Sequence, residues 1–334
     1  MKICIDAMGG DNAPVAVFEG VKAVLGKLDP ATELRLYGTG EAKALAESMG
    51  ILSERVGFVV TTEVIGCDES PTMAIRTKKD SSIVRALQDI AAGNGDAIVS
   101  AGSTGAVLTG ATLIVKRLPG IKRPALAAAI PNVVGGRVLL LDSGANTDCK
   151  PEYLVQFAIM GKAYMEKVQG VPSPKIGLLN NGAEAEKGNE LTKTVYGKLL
   201  EAPIDFAGNC EAREALSGDF DVIVADGFDG NVLLKSIEGT ASAMMTMLKR
   251  ELYGSLRTKI GAVIAKPAFR NLKKVLDYTE EGGAPLLGVR AGVVKAHGSS
   301  NAKAFAATFL QAERLVANNV TGVIAEALKD LAEE

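Results

Sequence analysis

Apolar and polar positions follow two different rhythms along the chain. Short apolar runs such as KICID at residues 2–6 are typical of buried strands, and each is followed by a stretch whose apolar residues recur at helical spacing. The first half repeats this pair: KICID with PVAVFEGVKAVLGKL, ELRLYG with GEAKALAESMG, RVGFVV with SSIVRALQDIAAGNG, and DAIVS with a helix from Thr104. Strands that alternate with crossover helices predict a parallel sheet in a layered α/β fold.

The second half continues this alternation and then becomes almost entirely helical. ALAAAIP, RVLLLD, KIGLLN, IDFAG and DVIVAD predict strands, with helices near residues 151–168, 189–201 and 231–253. The helical pattern from Asn231 to about Tyr278 is interpreted as an insertion. We therefore expect one large α/β body over residues 1–334, with a helical subdomain or oligomer interface at about 231–278.

One uncharged run, from Ala97 to Val115, is long enough to cross a bilayer. Its polar, glycine-rich centre SAGSTG splits it into a strand and a helix, so we predict no transmembrane span. The chain passes from Met1 directly into a short strand and lacks the long apolar region of a secretion signal. These features predict a cytoplasmic protein.

Charge and composition argue against several classes of partner. The net charge of -2 and the 4% aromatic content provide neither a basic field nor stacking platforms, so no nucleic acid partner is expected. Cys4, Cys67, Cys149 and Cys210 are far apart and form no C-x-x-C pair. This spacing argues against a zinc site or a disulfide framework and fits a reducing compartment.

Polar, glycine-rich loops follow five of the predicted strands. Ligands of parallel sheets collect at the carboxyl ends of strands, where glycine exposes backbone amides and a following helix adds its positive dipole end. Loops of this kind, between a strand and a helix, are suited to binding phosphate. The chain has no G-x-x-x-x-G-K-[ST] and no clean G-x-G-x-x-G after its first strand, so neither a nucleotide phosphate loop nor a dinucleotide domain is predicted. The loops are residues 6–11, 100–105, 142–146, 180–190 and 226–231.

Three side chains in and near these loops are the main catalytic candidates. Lys187 stands before Gly188 at a predicted helix start and is our first choice for binding phosphate, although such a lysine can also be solvated surface. Asn231 follows Gly230 and opens a predicted helix, either as a donor to a carbonyl or phosphate or as an ordinary N-cap. His297, the only histidine, ends an apolar strand and is either structural or a proton donor or hydrogen-bond partner.

Motifs over nearly the whole chain resemble those of the bacterial phosphate acyltransferase family. They are DAMGGDNAP, SAGSTGA, RPALA, DSGAN, KPEYLVQFAIMG, KIGLLNNG, KGNELTK, FAGNCEAR, DGFDGNVLLK and VKAHGSS. The resemblance implies a single catalytic domain over residues 1–334, a three-layer α/β/α sandwich like that of isocitrate and isopropylmalate dehydrogenases. It also implies a homodimer, with the helical segment at about 231–278 serving dimerisation or facing the membrane. It further implies transfer of a long-chain fatty acyl group from acyl carrier protein to inorganic phosphate, giving acyl phosphate for phosphatidic acid synthesis. The product acceptor would be a membrane-bound glycerol-3-phosphate acyltransferase, with the protein at the inner face of the membrane.

The implied reaction needs neither a cofactor nor a covalent enzyme intermediate. Phosphate is already an anionic nucleophile and a thiolate leaves readily, so the site must supply positioning and charge stabilisation, and we expect no metal. The predicted catalytic residues are Lys187, Asn231 and His297. The predicted substrate- or phosphate-binding residues are Asp6, Gly9, Gly10, Ser103, Thr104, Gly105, Asn146, Asn189, Asp226, Gly230, Ser299 and Ser300.

Basic residues concentrate in the helical insertion. Glu251 is the one acid among eight basic residues: Lys249, Arg250, Arg257, Lys259, Lys266, Arg270, Lys273 and Lys274. Three interpretations remain open: a dimer interface with a basic rim, a dock for an acidic carrier protein, and weak contact with an anionic membrane.

Other functions compete with phosphate acyl transfer from carrier protein. A short-chain phosphotransacetylase using acyl-CoA would use the same phosphate corners. An NAD-dependent decarboxylating dehydrogenase of the same fold would need clustered arginines and metal-binding aspartates, and neither pattern stands out. A non-catalytic membrane scaffold for lipid-synthesis enzymes is the alternative from a different class.

Overall fold

Two β-sheets with helices packed around them form an α/β/α sandwich. The computed structural model describes residues 1–276 and 282–329, with the backbone alone for 273–276. The strands are β1 (Lys2–Asp6), β2 (Glu33–Gly38), β3 (Val56–Val60), β4 (Ala97–Ser100), β5 (Ala125–Leu126), β6 (Ala128–Pro131), β7 (Arg137–Leu141), β8 (Lys175–Asn180), β9 (Asp205–Glu211), β10 (Val222–Val224), β11 (Ala284–Leu287) and β12 (Gly292–Lys295).

Helices connect most of these strands. They are α1 (Val15–Val24), α2 (Gly40–Ser48), α3 (Pro71–Thr77), α4 (Ser82–Ala91), α5 (Thr104–Gly110), α6 (Pro151–Tyr164), α7 (Glu190–Glu201), α8 (Gly227–Leu252), α9 (Leu256–Ile264), α10 (Lys266–Leu276), α11 (Ala302–Ala317) and α12 (Val320–Lys329). The predicted alternation of strands and helices is therefore confirmed, and the uncharged run splits as expected into β4 and α5. Within the described residues, no helix is both long and apolar enough to span a bilayer.

The first sheet has the order β3-β2-β1-β4-β12-β11-β5. Its first five strands run parallel, and β11 and β5 each pair antiparallel with their neighbour. β1 and β4 are almost wholly buried because α1 and α11 pack together over one face and α4 covers the other. This burial on both faces explains the continuous apolar runs of the sequence.

The second sheet has the order β6-β7-β10-β8-β9. β7, β10, β8 and β9 run parallel, and β6 pairs antiparallel with β7. The prediction of a single strand for ALAAAIP is wrong. The segment divides at Ala127, whose amide donates a hydrogen bond of 2.9 Å to the carbonyl of Pro285. β5 consequently joins the first sheet and β6 the second, so this short segment links the two.

The helical insertion begins earlier than predicted. α8 starts at Gly227 rather than Asn231, because Asp226 caps it by accepting from the amides of Phe228 and Asp229, each at 2.9 Å. Only Gly227, Gly230 and Leu233 of α8 are buried. α8, α9, α10 and the turn between α8 and α9 expose a series of large apolar side chains: Met244, Met247, Tyr253, Leu256, Ile260, Val263, Ile264 and Leu272. The predicted end of the insertion, residues 277 and 278, lies outside the described residues.

Candidate active site

The predicted functional residues fall into two groups, one at the carboxyl edge of each sheet. In the first sheet β1, β4 and β12 are parallel neighbours, so the loops that follow them meet at one edge. In the second sheet β7, β10 and β8 are likewise adjacent and parallel. Asp6, Gly9, Gly10, Ser103, Thr104, Gly105, His297, Ser299 and Ser300 belong to the first edge; Asn146, Lys187, Asn189, Asp226, Gly230 and Asn231 belong to the second.

The buried carboxylate of Asp6 hydrogen-bonds to residues around the first edge. Its carboxylate is buried and accepts hydrogen bonds of 2.6 Å from the hydroxyls of Ser82 and Ser100, and one of 3.2 Å from the amide of Met8. Burial raises the pKa of Asp6, and these hydrogen bonds oppose that rise. Because its oxygens are occupied, Asp6 shapes the loops that surround it.

The two glycines after β1 permit close contact between loops. A Cβ on Gly9 would lie 2.5 Å from the amide nitrogen of Gly102, and Gly10 has a φ of +101°, which favours glycine. The amide of Asp11 then donates 2.8 Å to the carbonyl of Gly298. The loops after β1, β4 and β12 therefore support one another through their backbones.

The loop after β4 begins α5. Ser103 caps this helix by accepting from the amide of Ala106 at 3.5 Å, and Thr104 is its exposed first residue. Gly105 packs against α3, since a Cβ there would lie 2.5 Å from Cγ of Pro71. Ser103 and Thr104 are thus the members of this motif that face the edge.

His297 lies in the loop after β12 and bonds to its neighbour. Its Nδ1 lies 2.8 Å from the hydroxyl of Ser299 and accepts from the Ser299 amide at 3.3 Å, which leaves the proton of a neutral ring on Nε2. Burial lowers the pKa of His297, and the positive charges of Lys235 and Lys295 lower it further. The neutral imidazole is accordingly favoured near pH 7.

Ser300 and Lys295 flank this histidine and are both buried. The hydroxyl oxygen of Ser300 has no hydrogen-bond partner among the described residues. Lys295, the last residue of β12, is 8% exposed, and its ammonium donates to the backbone carbonyls of Ala101 and Ala296. The sequence analysis did not single out Lys295, although a lysine that ends an apolar strand before a His-Gly-Ser-Ser loop was a visible signal.

Asp142 holds the loop at the second edge in shape. It is fully buried, and its carboxylate accepts from the backbone amides of Leu126, Gly144, Ala145 and Asn146 at 2.6 to 3.2 Å. The side-chain amide of Asn146 donates to the same carboxylate at 2.9 Å and to the carbonyl of Pro124 at 2.8 Å. The Asn146 nitrogen thus ties this loop to the segment that enters the first sheet.

The first turns of α8 complete this edge. Gly230 lies directly against the carbonyl of Asp142, which leaves no room for a Cβ. Because α8 begins at Gly227 with Asp226 as its N-cap, Asn231 lies inside the helix, and the alternative interpretation of Asn231 as an N-cap is wrong. Its side chain borders Gly144, where an added Cβ would lie 3.5 Å from it.

Lys187 ends the loop after β8, just before α7. Asn180 donates to its carbonyl at 3.2 Å, and Asn209 holds the same loop by donating 2.7 Å to the carbonyl of Glu184. Asn189 caps α7 by accepting from the amide of Thr192 at 2.9 Å. The side-chain nitrogens of Lys187 and Asn231 are bonded to no other described residue, and both side chains are exposed at this edge. They are free to bind a ligand.

One helix connects the two edges electrostatically. Burial is the main cause that lowers the pKa of both His297 and Lys295, and the charge of Lys235, one helical turn after Asn231 on α8, lowers both further. Lys235 is itself paired with Glu238 at 2.7 Å. The cations of both edges thus favour a negatively charged ligand. Among the described residues no cluster of three or more His, Cys, Asp or Glu side chains is arranged for a metal.

Comparisons with known proteins find relatives over nearly the whole chain. A family model described as a fatty acid synthesis protein matches residues 1–322. A phosphate acyltransferase of Exiguobacterium sp. is 48% identical over 98% of this chain and 99% of its own. Another phosphate acyltransferase, from Lysinibacillus sphaericus, is 47% identical over 99% of each chain.

Solved structures show the same fold at low sequence identity. A branched-chain phosphotransacylase from Enterococcus faecalis is 17% identical, with a TM-score of 0.60 over 95% of this chain and 99% of its own. A phosphotransacetylase from Streptococcus pyogenes is also 17% identical, with a TM-score of 0.59 over 95% of this chain and 94% of its own. A putative 4-hydroxythreonine-4-phosphate dehydrogenase from Salmonella typhimurium has a TM-score of 0.51, is 13% identical and is matched over 94% of this chain and 99% of its own.

Proposed function

Because the chain belongs to the phosphate acyltransferase family, we propose that it transfers a long-chain fatty acyl group from the thioester of acyl carrier protein to inorganic phosphate. The product, an acyl phosphate, would supply phosphatidic acid synthesis through a glycerol-3-phosphate acyltransferase. The observation that carries the proposal is the second edge, where Lys187 and Asn231 are exposed and bonded to no other described residue, beside a loop that buried Asp142 holds rigid.

Lys187 and Asn231 have different roles in the proposed reaction. The ammonium of Lys187 holds the phosphate, one of whose oxygens attacks the carbonyl carbon. The Asn231 amide donates to the carbonyl oxygen as its negative charge develops, a contribution on the order of 3 kcal/mol. The new C–O bond forms as the C–S bond breaks, and the electron pair leaves on the carrier thiolate.

His297 assists at the first edge. Its Nδ1 accepts from the Ser299 amide, so the proton of the neutral ring is on Nε2, and in this proposal Nε2 donates to phosphate or to the departing sulfur. Gly10, Ser103, Thr104 and Ser299 lie at the same edge and add donors for an anion in this proposal, whereas the amide of buried Gly9 bonds to Asp6. The reaction uses no cofactor, metal or covalent enzyme intermediate in this proposal.

The helical insertion supports a homodimer and a weak contact with the inner face of the membrane. α9 carries exposed apolar side chains such as Ile260 and Val263 together with the cations Arg257 and Lys259, a combination that suits anionic lipid or the acidic carrier protein. Flotation with vesicles containing anionic lipid tests the membrane contact. Equal flotation of the wild type and an Arg257→Glu/Lys259→Glu variant would contradict it.

An acyl phosphate assay tests the proposed function. The purified protein is incubated with phosphate and, separately, with palmitoyl-acyl carrier protein, palmitoyl-CoA or acetyl-CoA, and the product is trapped with hydroxylamine. We expect phosphate-dependent hydroxamate from the carrier substrate, abolished by Lys187→Ala and retained by Lys193→Ala, which changes an exposed lysine of α7. Product from acetyl-CoA alone would indicate a phosphotransacetylase, and no product from any donor would favour a membrane scaffold.

A further inference from the structure

Lys295 is a buried cation that the mechanism above does not use. It forms no ion pair with a carboxylate among the described residues, and its ammonium donates to two backbone carbonyls, those of Ala101 and Ala296. Removing an ammonium from water without a counter-ion is costly, and carbonyl oxygens compensate this cost only in part. A fold with no use for the charge would be more stable with an apolar side chain at this position.

The two carbonyls mark the beginnings of two functional loops. Ala101 directly precedes Gly102 and Ser103 after β4, and Ala296 directly precedes His297 after β12. Lys295 and Ser100 are register partners on these adjacent parallel strands. The ammonium therefore pins both loops at the point where they leave the sheet.

We propose that Lys295 is a positioning residue of acyl transfer, whose ammonium holds the loops after β4 and β12 together and keeps a positive charge beneath the anion that these loops bind. This inference rests on the proposed function and adds a residue to it. The anion is phosphate, either free or in the acyl phosphate product. Ser300, whose buried hydroxyl has no partner among the described residues, lies in the loop after β12 and adds a polar group to the same edge.

The surroundings of Lys295 leave it able to titrate near neutral pH. Burial lowers its pKa to about 8, and Lys235 on α8 acts in the same direction. Asp6 from β1, Asp11 from the following loop and Cys67 from the loop after β3 raise it, and the neighbouring His297 is favoured as neutral. Loss of the Lys295 charge above this pH would weaken the hold on an anion.

Two substitutions at Lys295 separate positioning from packing. Lys295→Met keeps the length of the side chain without its charge, whereas Lys295→Arg keeps both charge and donors. We expect Lys295→Met to raise the KM for phosphate about tenfold or more, with a smaller change in the KM for the acyl donor, and Lys295→Arg to restore phosphate affinity within about threefold. Circular dichroism confirms that each variant is folded.

The pH profile provides a readout that packing alone would not move. Between about pH 7 and pH 9, phosphate affinity of the wild type should fall relative to that of Lys295→Arg, which stays charged. Because Cys67 also acts electrostatically on Lys295, both proteins are compared in a Cys67→Ser background. Parallel profiles, or a Lys295→Met variant whose phosphate KM is unchanged while its stability falls, would overturn the proposal.

Calorimetric titration with inorganic phosphate alone separates this inference from the proposed function. If the wild type yields no hydroxamate from any acyl donor, the function fails, yet phosphate affinity of the wild type and both variants is still measurable. Weaker binding to Lys295→Met in that titration supports the role of Lys295 at an anion site. Equal phosphate binding by all three proteins would overturn it.

Discussion

Gly230, in the first turn of α8, lies directly against the backbone carbonyl of Asp142 at the end of β7. This contact sets the distance between α8 and the loop after β7, and it thereby places Asn231 beside Gly144. The position of the proposed catalytic side chain of Asn231 thus depends on the neighbouring Gly230, which has no side chain.

Gly230→Ala should move α8 away from the second sheet. The added methyl group would overlap the Asp142 carbonyl, so we expect a loss of about 2 kcal/mol or more of unfolding free energy and a larger loss of kcat than of phosphate affinity. Gly239→Ala is the matched control, because a Cβ there meets nothing within 4 Å and alanine favours the helix. Urea unfolding and the hydroxamate assay measure both effects; a fully active Gly230→Ala variant would show that the contact is dispensable.

Ser100→Ala should weaken the first edge through Asp6. The Ser100 hydroxyl donates to buried Asp6 at 2.6 Å and accepts from the Gly102 amide at 3.0 Å. Its removal leaves a buried carboxylate underbonded, so we expect a loss of roughly 2 kcal/mol in unfolding free energy at pH 7. Denaturant unfolding checks this, with Ser48→Ala on the exposed end of α2 as the control. Equal stability of the two variants would be the contrary result.

The pKa of His297 should depend on Lys235. Since His297 is the only histidine of the chain, its ring protons can be followed without ambiguity by NMR during a pH titration. Burial and the nearby cations should place the pKa below about 6.5 in the wild type, and Lys235→Met should raise it. Lys249→Met changes an exposed lysine near the far end of α8 and should have no effect. An unchanged His297 pKa in Lys235→Met would show that the charge of Lys235 does not affect the first edge.

The stability contributed by Lys295 should rise with pH. Its folded pKa of about 8 lies below the ordinary value of 10.5, so the unfolded chain binds more protons between these values. The free-energy cost of burying the charged Lys295 ammonium is therefore fully present below about pH 8, and it decreases as pH rises toward 10.5. From pH 7 to pH 9.5 the wild type should gain roughly 2 kcal/mol of unfolding free energy relative to Lys295→Met. Urea unfolding at both pH values checks this, and a constant difference would contradict the burial of a charged ammonium.

The sequence by itself determined the class of fold and the loops in which the proposed functional residues lie. Strand and helix periodicities are local properties, so KICID, DAIVS and KIGLLN could each be identified without knowing their partners. Polar, glycine-rich residues after these strands are equally visible in the sequence. The placement of parallel strand ends at one edge then predicts which loops can share a ligand.

Only the tertiary structure decided how these pieces are shared between two sheets and which side chains remain free. ALAAAIP divides between the sheets because β5 pairs with β11, which lies far away in the sequence. The start of α8 depends on a cap and on contact with Asp142, and the burial of Lys295 depends on β4 beside it. These outcomes follow from pairing and packing between distant segments, which no local pattern of residues encodes.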